Sequence, residues 1–529
     1  MSEGQKAALG KVAYRGLSVL RRLRECSITP ASMYPRTGGF YYVSRGYDAL
    51  AAAQENLSAV QAALEAAGVG YVTLPSGSPY EQTIVVPLRS HELLRKTLAE
   101  LDATSGWFIQ KFVGPYRREA SWKRSRRSHV AVTYVAGRQN ATPRGERLST
   151  TPEFVSIELW ASSPGTKAPT LHASPGHASD GIRSITPIHW SSAQVQPGHR
   201  LELGGPLLMQ ITEPIDLVYT WVDGTDPSWL KRKSQTLGSY GLTDVHQTAV
   251  SHSRFSSHDE LKYSLRSVEM YANWVRHIYL VTDGQVPSWL DTSHPRITVI
   301  DHHEIFRDSS VLPVFNSHAI EAQLHRIPGL SENYLYLNDD VFIARPITPS
   351  LFFTSSGLSK FFPSVGTLGL DGATSHDMPV VSAGKNNRDL ILKVAGRVVT
   401  NKFKHTPHAQ IKSVLQDLEH AEPALFDQVT ASRIRHPRDF SIASALYHNV
   451  AYLQGKAIEG SIAYAYVDVG RADAELQLLR LGKRRDIDVF CLNETASRQQ
   501  DTGSIDRMIT TFLSERFPVP STFEIPSNS

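Results

Sequence analysis

The stretch Leu335-Tyr336-Leu337-Asn338-Asp339-Asp340-Val341-Phe342 (residues 335–342) places two adjacent carboxylates inside an otherwise apolar segment. The apolar residues predict one buried strand from Tyr334 to Phe342, in which adjacent unpaired charges are costly. Ligation to a divalent cation removes that cost, and proteins usually bind Mg²⁺ through one or two carboxylates together with substrate phosphates. The stretch therefore predicts a metal–diphosphate site at the end of a strand. The alternative interpretation is a corner between strand and loop with two solvated aspartates.

Further short strands precede this one and decide the fold class. Residues 215–222, 277–282 and 297–301 are apolar or alternating, and helical stretches cover residues 258–271 and 317–325. Strands that alternate with helices predict a mainly parallel sheet, whose ligands bind at the carboxyl ends of the strands. Polar residues follow those ends, namely Asp223, Asp283 and the run from Asn338 to Asp340. The expected core is therefore an α/β, Rossmann-like sheet with its site at one edge.

A turn follows the first of these strands, in the sequence Trp221-Val222-Asp223-Gly224-Thr225-Asp226-Pro227. A glycine at this place lets the backbone come close to a phosphate or a nucleoside. Asp223 then contacts a ribose, a metal or an acceptor. The alternative interpretation is an ordinary Asp-Gly turn.

Groups suited to proton transfer and phosphate binding lie farther along the chain. His405-Thr406-Pro407-His408 follows a basic stretch, and histidine is the side chain best suited to take a proton near neutral pH. A two-histidine metal site and a purely structural histidine are the alternatives. Arg433, Arg435 and Arg438 come next, and an arginine donates two parallel hydrogen bonds to a phosphate; a solvated, ion-paired surface is the alternative. These residues predict a phosphate-rich ligand and a metal-assisted transfer without identifying the ligand.

Composition excludes several classes of protein. The 529 residues are 41% hydrophobic and 20% charged, which excludes wholesale disorder, and no apolar run reaches the roughly 18 residues of a membrane-spanning helix. The net charge of +4 is modest, so we expect no nucleic-acid partner. The two cysteines, Cys26 and Cys491, fit a reducing cytoplasm. The sequence contains no Walker-type GxxxxGK[ST], GxGxxG or HExxH motif, which disfavours P-loop NTPases, dinucleotide oxidoreductases and zincin proteases.

The N-terminal part has a different organisation. Residues 5–25 predict a basic amphipathic helix, which either contacts anionic lipid at the inner face of the cell membrane or docks on the protein itself. Residues 40–113 alternate in the order β-α-β-β-α-β, which resembles a split βαβ module that could dimerise. The predicted segments are a basic helix (1–30), an α+β module (31–127), a β-rich region (128–212), an α/β core (213–365), a helical region (366–486) and a C-terminal segment (487–529).

Four stretches in order resemble the conserved regions of the Stealth proteins. The first is Ile215 to Gly224, and the second begins with Arg254-Phe255 and Glu260 to Ser267. The second continues through Val281 to Leu290, Leu312 to Ser317, Ala319-Ile320-Glu321 and Tyr336 to Asp340; the third is His405-Thr406-Pro407-His408 with Arg435-His436 and Asp439; and the fourth is Cys491-Leu492-Asn493 with Pro520 to Glu524. The family comprises bacterial capsular-polysaccharide hexose-1-phosphate transferases and the α/β subunit of the animal lysosomal-enzyme N-acetylglucosamine-1-phosphotransferase.

The resemblance implies a GT-A-like core with a helical insert and a specific reaction. In these terms residues 213–365 are the nucleotide-sugar-binding core, 366–486 the helical catalytic and acceptor region, and 487–529 the segment that completes the catalytic domain. An acceptor glycan hydroxyl attacks the β-phosphorus of a UDP-sugar, sugar-1-phosphate is transferred and UMP leaves. Asp339 and Asp340 would hold Mg²⁺ or Mn²⁺, His405 would be the general base, and Arg435 would steady the transferred phosphoryl group. The donor site would be shaped by Trp221, Asp223, Arg254, Arg266, Asp283, Gln285, Asn316, Glu321 and Asn338, with Asp223 also a candidate catalytic group.

One departure and several alternatives stay open at this stage. The fourth region commonly reads Cys-Leu-Asn-Asp, whereas Glu494 follows Asn493 here. The chain lacks the calcium-binding insert and disulfide-rich spacer of the animal relatives, which favours a bacterial, cytoplasmic type. A conventional glycosyltransferase that releases UDP and a non-catalytic glycan-binding scaffold are the alternatives, and a homo-oligomer is compatible with the sequence. The transferred sugar depends on a few hydrogen bonds, and we expect an N-acetylhexosamine such as that of UDP-N-acetylglucosamine.

Overall fold

The computed structural model describes residues 33–36, 39–43, 46–102, 106–113, 131–142, 147–163, 170–174, 177, 181–239, 258–494 and 502–526. The chain divides into two compact units, unit 1 (Met1–Gln210) and unit 2 (Ile211–Ser529). The predicted basic helix at residues 5–25 and the site residue Arg254 lie outside the described residues.

Unit 2 contains the predicted α/β core. Its strands are β11 (Ile215–Thr220), β12 (Ile278–Thr282), β13 (Ile297–Asp301), β14 (Asn333–Asn338), β15 (Val341–Ile343), β16 (Ser359–Phe361), β17 (Pro363–Thr367), β18 (Asn401–Phe403), β19 (His408–Ile411), β20 (Ala457–Glu459), β21 (Tyr464–Asp468) and β22 (Val489–Asn493). Its helices are α4 (Pro227–Ser239), α5 (Glu260–Tyr271), α6 (His302–Ile305), α7 (Ser317–Glu321), α8 (Pro379–Ala395), α9 (Lys412–Ala421), α10 (Pro423–Thr430), α11 (Tyr447–Leu453), α12 (Ala474–Lys483) and α13 (Thr502–Arg516).

The central sheet has the strand order β13-β12-β11-β14-β19. The first four strands are parallel, and β19 runs antiparallel to β14. The order reverses between β11 and β14, which makes their carboxyl ends the expected ligand crevice. Thr220 at the end of β11 pairs with both Val281 and Asn338, so the loops that follow these strands begin at one edge. The predicted α/β, Rossmann-like core is confirmed.

Burial explains why the parallel strands read as continuous apolar runs. Every residue of β12 is buried, and β11 and β14 are buried up to their last residues, Thr220 and Asn338. Helices cover a sheet of this kind, so side chains on successive positions face apolar neighbours. Tyr334 and Tyr336 belong to the large core of unit 2, together with residues of α9, α10 and α11.

The prediction of one strand from Tyr334 to Phe342 was wrong. β14 ends at Asn338, Asp339 and Asp340 form a turn, and β15 continues in a different sheet with the order β15-β22-β21. The two carboxylates cannot remain between apolar layers without compensation, so the chain leaves the central sheet there. Ser264 on α5 fixes the new direction, because its hydroxyl donates a 2.6 Å hydrogen bond to the carbonyl of Val341.

Unit 1 forms its own sheets. The strands are β1 (Met33–Arg36), β2 (Gly39–Val43), β3 (Val72–Leu74), β4 (Gln82–Pro87), β5 (Trp107–Val113), β6 (Val132–Arg138), β7 (Asn140–Ala141), β8 (Val155–Ser162), β9 (Leu171–His172) and β10 (Ser184–Ile185). The helices are α1 (Ala49–Ala66), α2 (His91–Asp102) and α3 (Pro187–Gln194). The predicted element order β-α-β-β-α-β is present as β2, α1, β3, β4, α2 and β5.

The split βαβ pairing and the separate β-rich region are corrected by the sheet order. β2 pairs with β1 and β7 in a sheet of its own. In the larger sheet β8 pairs in parallel with β4 and antiparallel with β6, so strands from residues 31–127 and 128–212 share one sheet and one apolar core. The eight-residue strand β8 provides longer pairing for β4 than any strand within the first segment, and local element order does not reveal such distant pairing.

The region predicted as mostly helical, residues 366–486, also contains the strands β18 to β21. β19 closes the central sheet next to β14, and β21 joins β22 in the smaller one. Within the part of the chain that the structure describes, no helix combines the length and apolar character needed to cross a membrane.

Candidate active site

The two adjacent carboxylates lie in the turn between β14 and β15. Asp339 and Asp340 are half-buried. Burial, together with the nearby carboxylates of Glu260 and Asp340, raises the pKa of Asp339 well above its usual range. Glu260 is the first residue of α5 and is itself buried. Sequence reasoning gave Glu260 no role, although it opens the predicted helix next to the site.

Asp340 joins two residues that are far away in the sequence. Its Oδ1 lies 3.1 Å from His405 Nε2, and its Oδ2 accepts a 3.3 Å hydrogen bond from the thiol of Cys491. Burial lowers the pKa of His405, but the carboxylate of Asp340 and those of Glu321 and Asp339 outweigh it, so the pKa is raised. The proposed base and one predicted metal ligand are therefore in direct contact.

Sheet register brings Cys491 to this place. Cys491 is fully buried in β22 and lies opposite Val341 of β15, while the amide of Leu492 donates a 3.0 Å hydrogen bond to the carbonyl of Asp340. The sequence motif contained this cysteine, but nothing in local sequence said that it meets Asp340.

Gln285 fastens the loop after β11 to the loop after β12. Its side-chain oxygen accepts a 2.9 Å hydrogen bond from the amide of Asp223, and its amide group donates to the carbonyl of Asp223 and to Asp226 Oδ2 at 3.1 and 3.0 Å. The carboxylate of Asp223 accepts from the amide and hydroxyl of Thr225. Gln285 thus positions the loop that begins at Trp221.

Asp283 follows β12 and forms an ion pair with Arg232 of α4, with 2.7 Å between Asp283 Oδ2 and Arg232 Nη2. Asn338 ends β14 in register with Thr220. Both residues therefore stand at the predicted edge of the central sheet.

Arg435 is held by a buried polar network. Its Nη2 donates a 2.5 Å hydrogen bond to the hydroxyl of Ser317, and its buried Nε has no partner among the described residues. Burial lowers the pKa of Arg435, while the carboxylates of Glu321 and Asp439 raise it in part. The buried Nε–H is therefore a donor that no described group of the protein satisfies.

Asn316 supports the segment that carries Arg435. The amide group of Asn316 donates to the carbonyl of Ser432 at 3.0 Å and to Asp439 Oδ2 at 2.8 Å, and its oxygen caps α7. Glu321 accepts a 2.6 Å hydrogen bond from Ser444. These two predicted donor-site residues are buried and bound to the protein itself.

Arg266 is engaged away from the turn at Asp339. Its Nε and Nη2 each lie 2.7 Å from a carboxylate oxygen of Glu524, and its Nη1 donates to the carbonyl of Phe517 at 3.1 Å. The guanidinium therefore joins α5 to the C-terminal segment.

His408 does not form a site with His405. Its Nδ1 lies 3.0 Å from Nε2 of His448, and both rings are buried. Burial lowers the pKa of His448 to about 3 and that of His408 well below its usual range. The alternative of a metal site made by His405 and His408 is therefore wrong, because strand β19 directs His408 into the core.

Glu494 faces His258, which sequence reasoning did not single out. Nε2 of His258 lies 3.9 Å from Glu494 Oε2, and its Nδ1 lies 3.0 Å from Asp506. Glu494, with contributions from Glu260 and Asp506, raises the pKa of His258 to about 9 against the effect of burial. The carboxylate that departs from the usual motif is thus paired with a cation.

The donor set at the turn fits a divalent cation. Asp339 and Asp340 offer oxygens, and Glu260 adds a third carboxylate to the buried negative charge around Asp339. Oxygen-rich sets of this kind suit Mg²⁺ and Mn²⁺. Asp339 and Asp340 are the residues that would hold such an ion.

Comparison with known proteins gives four matches in the predicted order. Stealth conserved region 1 matches residues 213–241, region 2 residues 254–361, region 3 residues 404–452 and region 4 residues 480–529.

Relatives match along most of the chain. Exopolysaccharide phosphotransferase SCO6023 of Streptomyces coelicolor is 38% identical over 487 residues, covering 89% of this chain and 82% of the relative. SCO6021 of the same organism, also named an exopolysaccharide phosphotransferase, is 33% identical and covers 92% of each chain. CpsY of Mycobacterium tuberculosis is 37% identical and covers 60% of this chain and 59% of its own length.

Among solved structures, the galactosyltransferase LgtC matches 59% of this chain and 98% of its own, with 12% identity and a TM-score of 0.28. The matches to SCO6023 and SCO6021 extend beyond unit 2, and Stealth region 2 includes the turn of Asp339 and Asp340. The chain belongs to the Stealth family.

Proposed function

We propose that the protein transfers sugar-1-phosphate, as N-acetylhexosamine-1-phosphate, from a UDP-sugar to a glycan hydroxyl in the synthesis of a cell-surface polysaccharide. The names of the relatives support a phosphotransferase in exopolysaccharide synthesis. The contact between His405 and Asp340 at the carboxyl edge of the central sheet carries the proposal, because it unites a base with a carboxylate suited to a diphosphate-bound ion.

In this reaction the acceptor oxygen attacks the β-phosphorus of the donor. The new bond joins that oxygen to phosphorus, the bond from phosphorus to the bridging oxygen breaks, and the bridging oxygen leaves with UMP. Nε2 of His405 donates to Asp340, and Nδ1, the other ring nitrogen, takes the hydroxyl proton. A Mg²⁺ or Mn²⁺ ion held by Asp339 and Asp340 would neutralise charge on the diphosphate.

Arg435 has the complementary task. Its unpartnered Nε and its planar fork can donate to the equatorial oxygens of the transferred phosphoryl group, where charge spreads in the transition state. Ser317, Asn316 and Asp439 hold the arginine and its segment in place. Fixed donors of this kind act without reorganisation during the reaction, which is why positioning supplies much of phosphoryl-transfer catalysis.

The test is the identity of the nucleotide product. The purified protein is incubated with UDP-N-acetylglucosamine, Mg²⁺ and short glycans, and nucleotides are separated by anion exchange. We expect UMP that depends on both the acceptor and the metal. UDP would mean attack at the anomeric carbon, and the protein would then be a conventional glycosyltransferase.

Two controls test whether the nucleotide product comes from transfer catalysed by this protein. Omitting the glycan reports hydrolysis of the donor, and His405→Gln reports contaminating activity. If no nucleotide forms with any UDP-sugar while calorimetry detects UDP-sugar binding, the enzymatic proposal fails and a glycan-binding scaffold replaces it.

A further inference from the structure

Asp340 contacts a nitrogen atom of His405 and the sulfur atom of Cys491. Asp340, His405 and Cys491 offer a carboxylate oxygen, an imidazole nitrogen and a sulfur, and these ligand atoms all lie within 4.8 Å of one another. Across the described ranges it is the one cluster of three such groups. Two of the separations are 3.1 and 3.3 Å.

The separations resemble those of a tetrahedral site. Zinc bonds of about 2.0 Å to nitrogen or oxygen and about 2.3 Å to sulfur place neighbouring ligands roughly 3.3–3.6 Å apart. Three protein ligands with one open position is the usual arrangement of a zinc ion that also contacts another molecule. The two separations from the Asp340 carboxylate, one to each of its oxygens, are therefore close to the ligand spacings of such a site.

The ligand types select the ion. Mg²⁺ demands octahedral oxygen coordination, whereas sulfur and imidazole favour borderline ions such as Zn²⁺. The carboxylates of Asp339 and Glu260 are hard oxygen ligands, of the kind that suits Mg²⁺. Asp340 stands between the two, with one oxygen toward His405 and the other toward Cys491.

The backbone holds the cluster firmly. Cys491 lies opposite Val341 in the smaller sheet, and Leu492 donates to the carbonyl of Asp340. The amide of Lys404, next to His405, donates a 2.9 Å hydrogen bond to the carbonyl of Phe362. Three distant segments are thereby fixed around one point, which lowers the cost of ordering ligands on binding.

We propose that Asp340, His405 and Cys491 form a Zn²⁺ site, and that an ion bound there inhibits the enzyme. Binding displaces the thiol proton to solvent and forms a bond from sulfur to zinc. The inhibition rests on the proposed function, because an ion held by His405 and Asp340 removes the base and one carboxylate of the proposed Mg²⁺ site from the reaction. Excess Zn²⁺ therefore opposes turnover that Mg²⁺ supports.

The ligand set is tested with Co²⁺ on the full chain, without substrate. We expect a thiolate-to-cobalt charge-transfer band in the near ultraviolet that is lost in Cys491→Ser. Cys26→Ser, which removes the other cysteine of the chain, should keep the band. No band in the wild type, or a band that persists in Cys491→Ser, would overturn the site.

A second variant guards against misfolding of Cys491→Ser, whose side chain is fully buried. His405→Gln removes a half-exposed ligand, should keep the sulfur band, and should weaken Co²⁺ binding by more than the roughly 10–100-fold caused by changes around a metal site. Unchanged affinity in His405→Gln would exclude the histidine, and with it the inhibition.

The inhibitory role is tested by turnover at fixed Mg²⁺. In the wild type Zn²⁺ should suppress product formation, and in Cys491→Ser half-inhibition should need at least about 10–100-fold more Zn²⁺. A cobalt band without inhibition by Zn²⁺ would overturn this role. The spectra need no donor or acceptor, so a failure to form UMP would contradict the proposed function and leave the ligand test intact.

Discussion

His405 is the residue on which proton transfer depends in the proposed reaction. In His405→Gln the side chain keeps its size and polarity but cannot accept the acceptor proton, so we expect turnover to fall by about 10²–10⁴-fold. Donor affinity should stay near that of the wild type, because the amide group of glutamine can still donate to Asp340 as His405 does. UMP release measures turnover, and calorimetry with a UDP-sugar measures affinity.

A matched histidine provides the control for this change. His420 is exposed in the last turn of α9, and His420→Gln should leave turnover and donor affinity unchanged. Normal turnover in His405→Gln would remove the base assignment, and an equal loss in both variants would point to a general defect.

A substitution of Arg435 tests the role of its planar guanidinium group. Arg435→Lys keeps the positive charge but loses the bidentate geometry and the free Nε. We expect kcat to fall by about 10²–10³-fold, the size of effect typical of one preorganised donor. Arg433→Lys is the control, because Arg433 donates to the carbonyl of Ser310 at the surface. Steady-state kinetics should show no such loss in the control, and wild-type kcat in Arg435→Lys would contradict the assignment.

The pair between Arg266 and Glu524 joins two elements, α5 and the C-terminal segment. Side-chain exposure is about a tenth for each partner (11% and 9%), and both oxygens of Glu524 lie 2.7 Å from the guanidinium. Removing one partner leaves a buried charge, so Arg266→Met should lower the free energy of unfolding by about 3 kcal/mol. Urea unfolding of Arg266→Met, Glu524→Gln and the double variant measures the coupling.

An exposed pair of the same charge type is the control for that cycle. Arg484 and Asp486 lie 2.6 Å apart with both side chains about half exposed or more, so Arg484→Met should leave the free energy of unfolding nearly unchanged. If Arg266→Met and Arg484→Met cost the same, the C-terminal segment is not held by the buried pair.

The sequence predicts which residues form strands and helices better than it predicts which strands pair with each other. Alternation of apolar strands with helices is local, so the parallel core and the edge with Asp223 and Asp283 could be predicted. The break at Asp339 and the partner of β8 depend on distant pairing and could not. The contact of Cys491 with Asp340 spans 151 residues, and only the smaller sheet brings the two together.

Several site residues also serve the fold, which sequence motifs do not reveal. Gln285, Asn316 and Arg266 occupy positions of the family motifs, yet each bonds to another segment of unit 2. A motif says that a residue type matters, and only the contacts say whether it touches the ligand or positions a group that does. The proposed ligand-facing groups are accordingly fewer than the motif residues.

At the scale of the whole molecule, the four matched Stealth regions lie in unit 2. Unit 1 contains a buried ionisable side chain outside those regions, that of Glu153. Glu153 is fully buried there. Its Oε1 accepts hydrogen bonds from the hydroxyl of Tyr47 and from the amide and hydroxyl of Thr150, and its Oε2 has no partner among the described residues. Burial raises the pKa of Glu153 to about 7, although these hydrogen bonds lower it in part.

Because of this raised pKa, the stability of unit 1 should fall as pH rises from about 4.5 to about 7. The folded state holds the proton more tightly than the unfolded state, whose glutamate has a pKa near 4.5. The contribution to stability is therefore complete below about pH 4.5 and is lost as pH rises through 7. Between pH 5.5 and 8.5 the loss should be about 2 kcal/mol. Glu153→Gln cannot ionise, so it lacks this loss and carries only a pH-independent offset.

Calorimetry of the full chain at pH 5.5 and 8.5, for the wild type and Glu153→Gln, measures the difference. The variant should gain about 2 kcal/mol relative to the wild type on going to the higher pH. Because the comparison is a difference of differences, titration of other groups cancels unless they contact Glu153. Parallel stability curves would mean that the carboxyl group is ionised at both pH values, and the unpartnered Oε2 would then have to be reached by water.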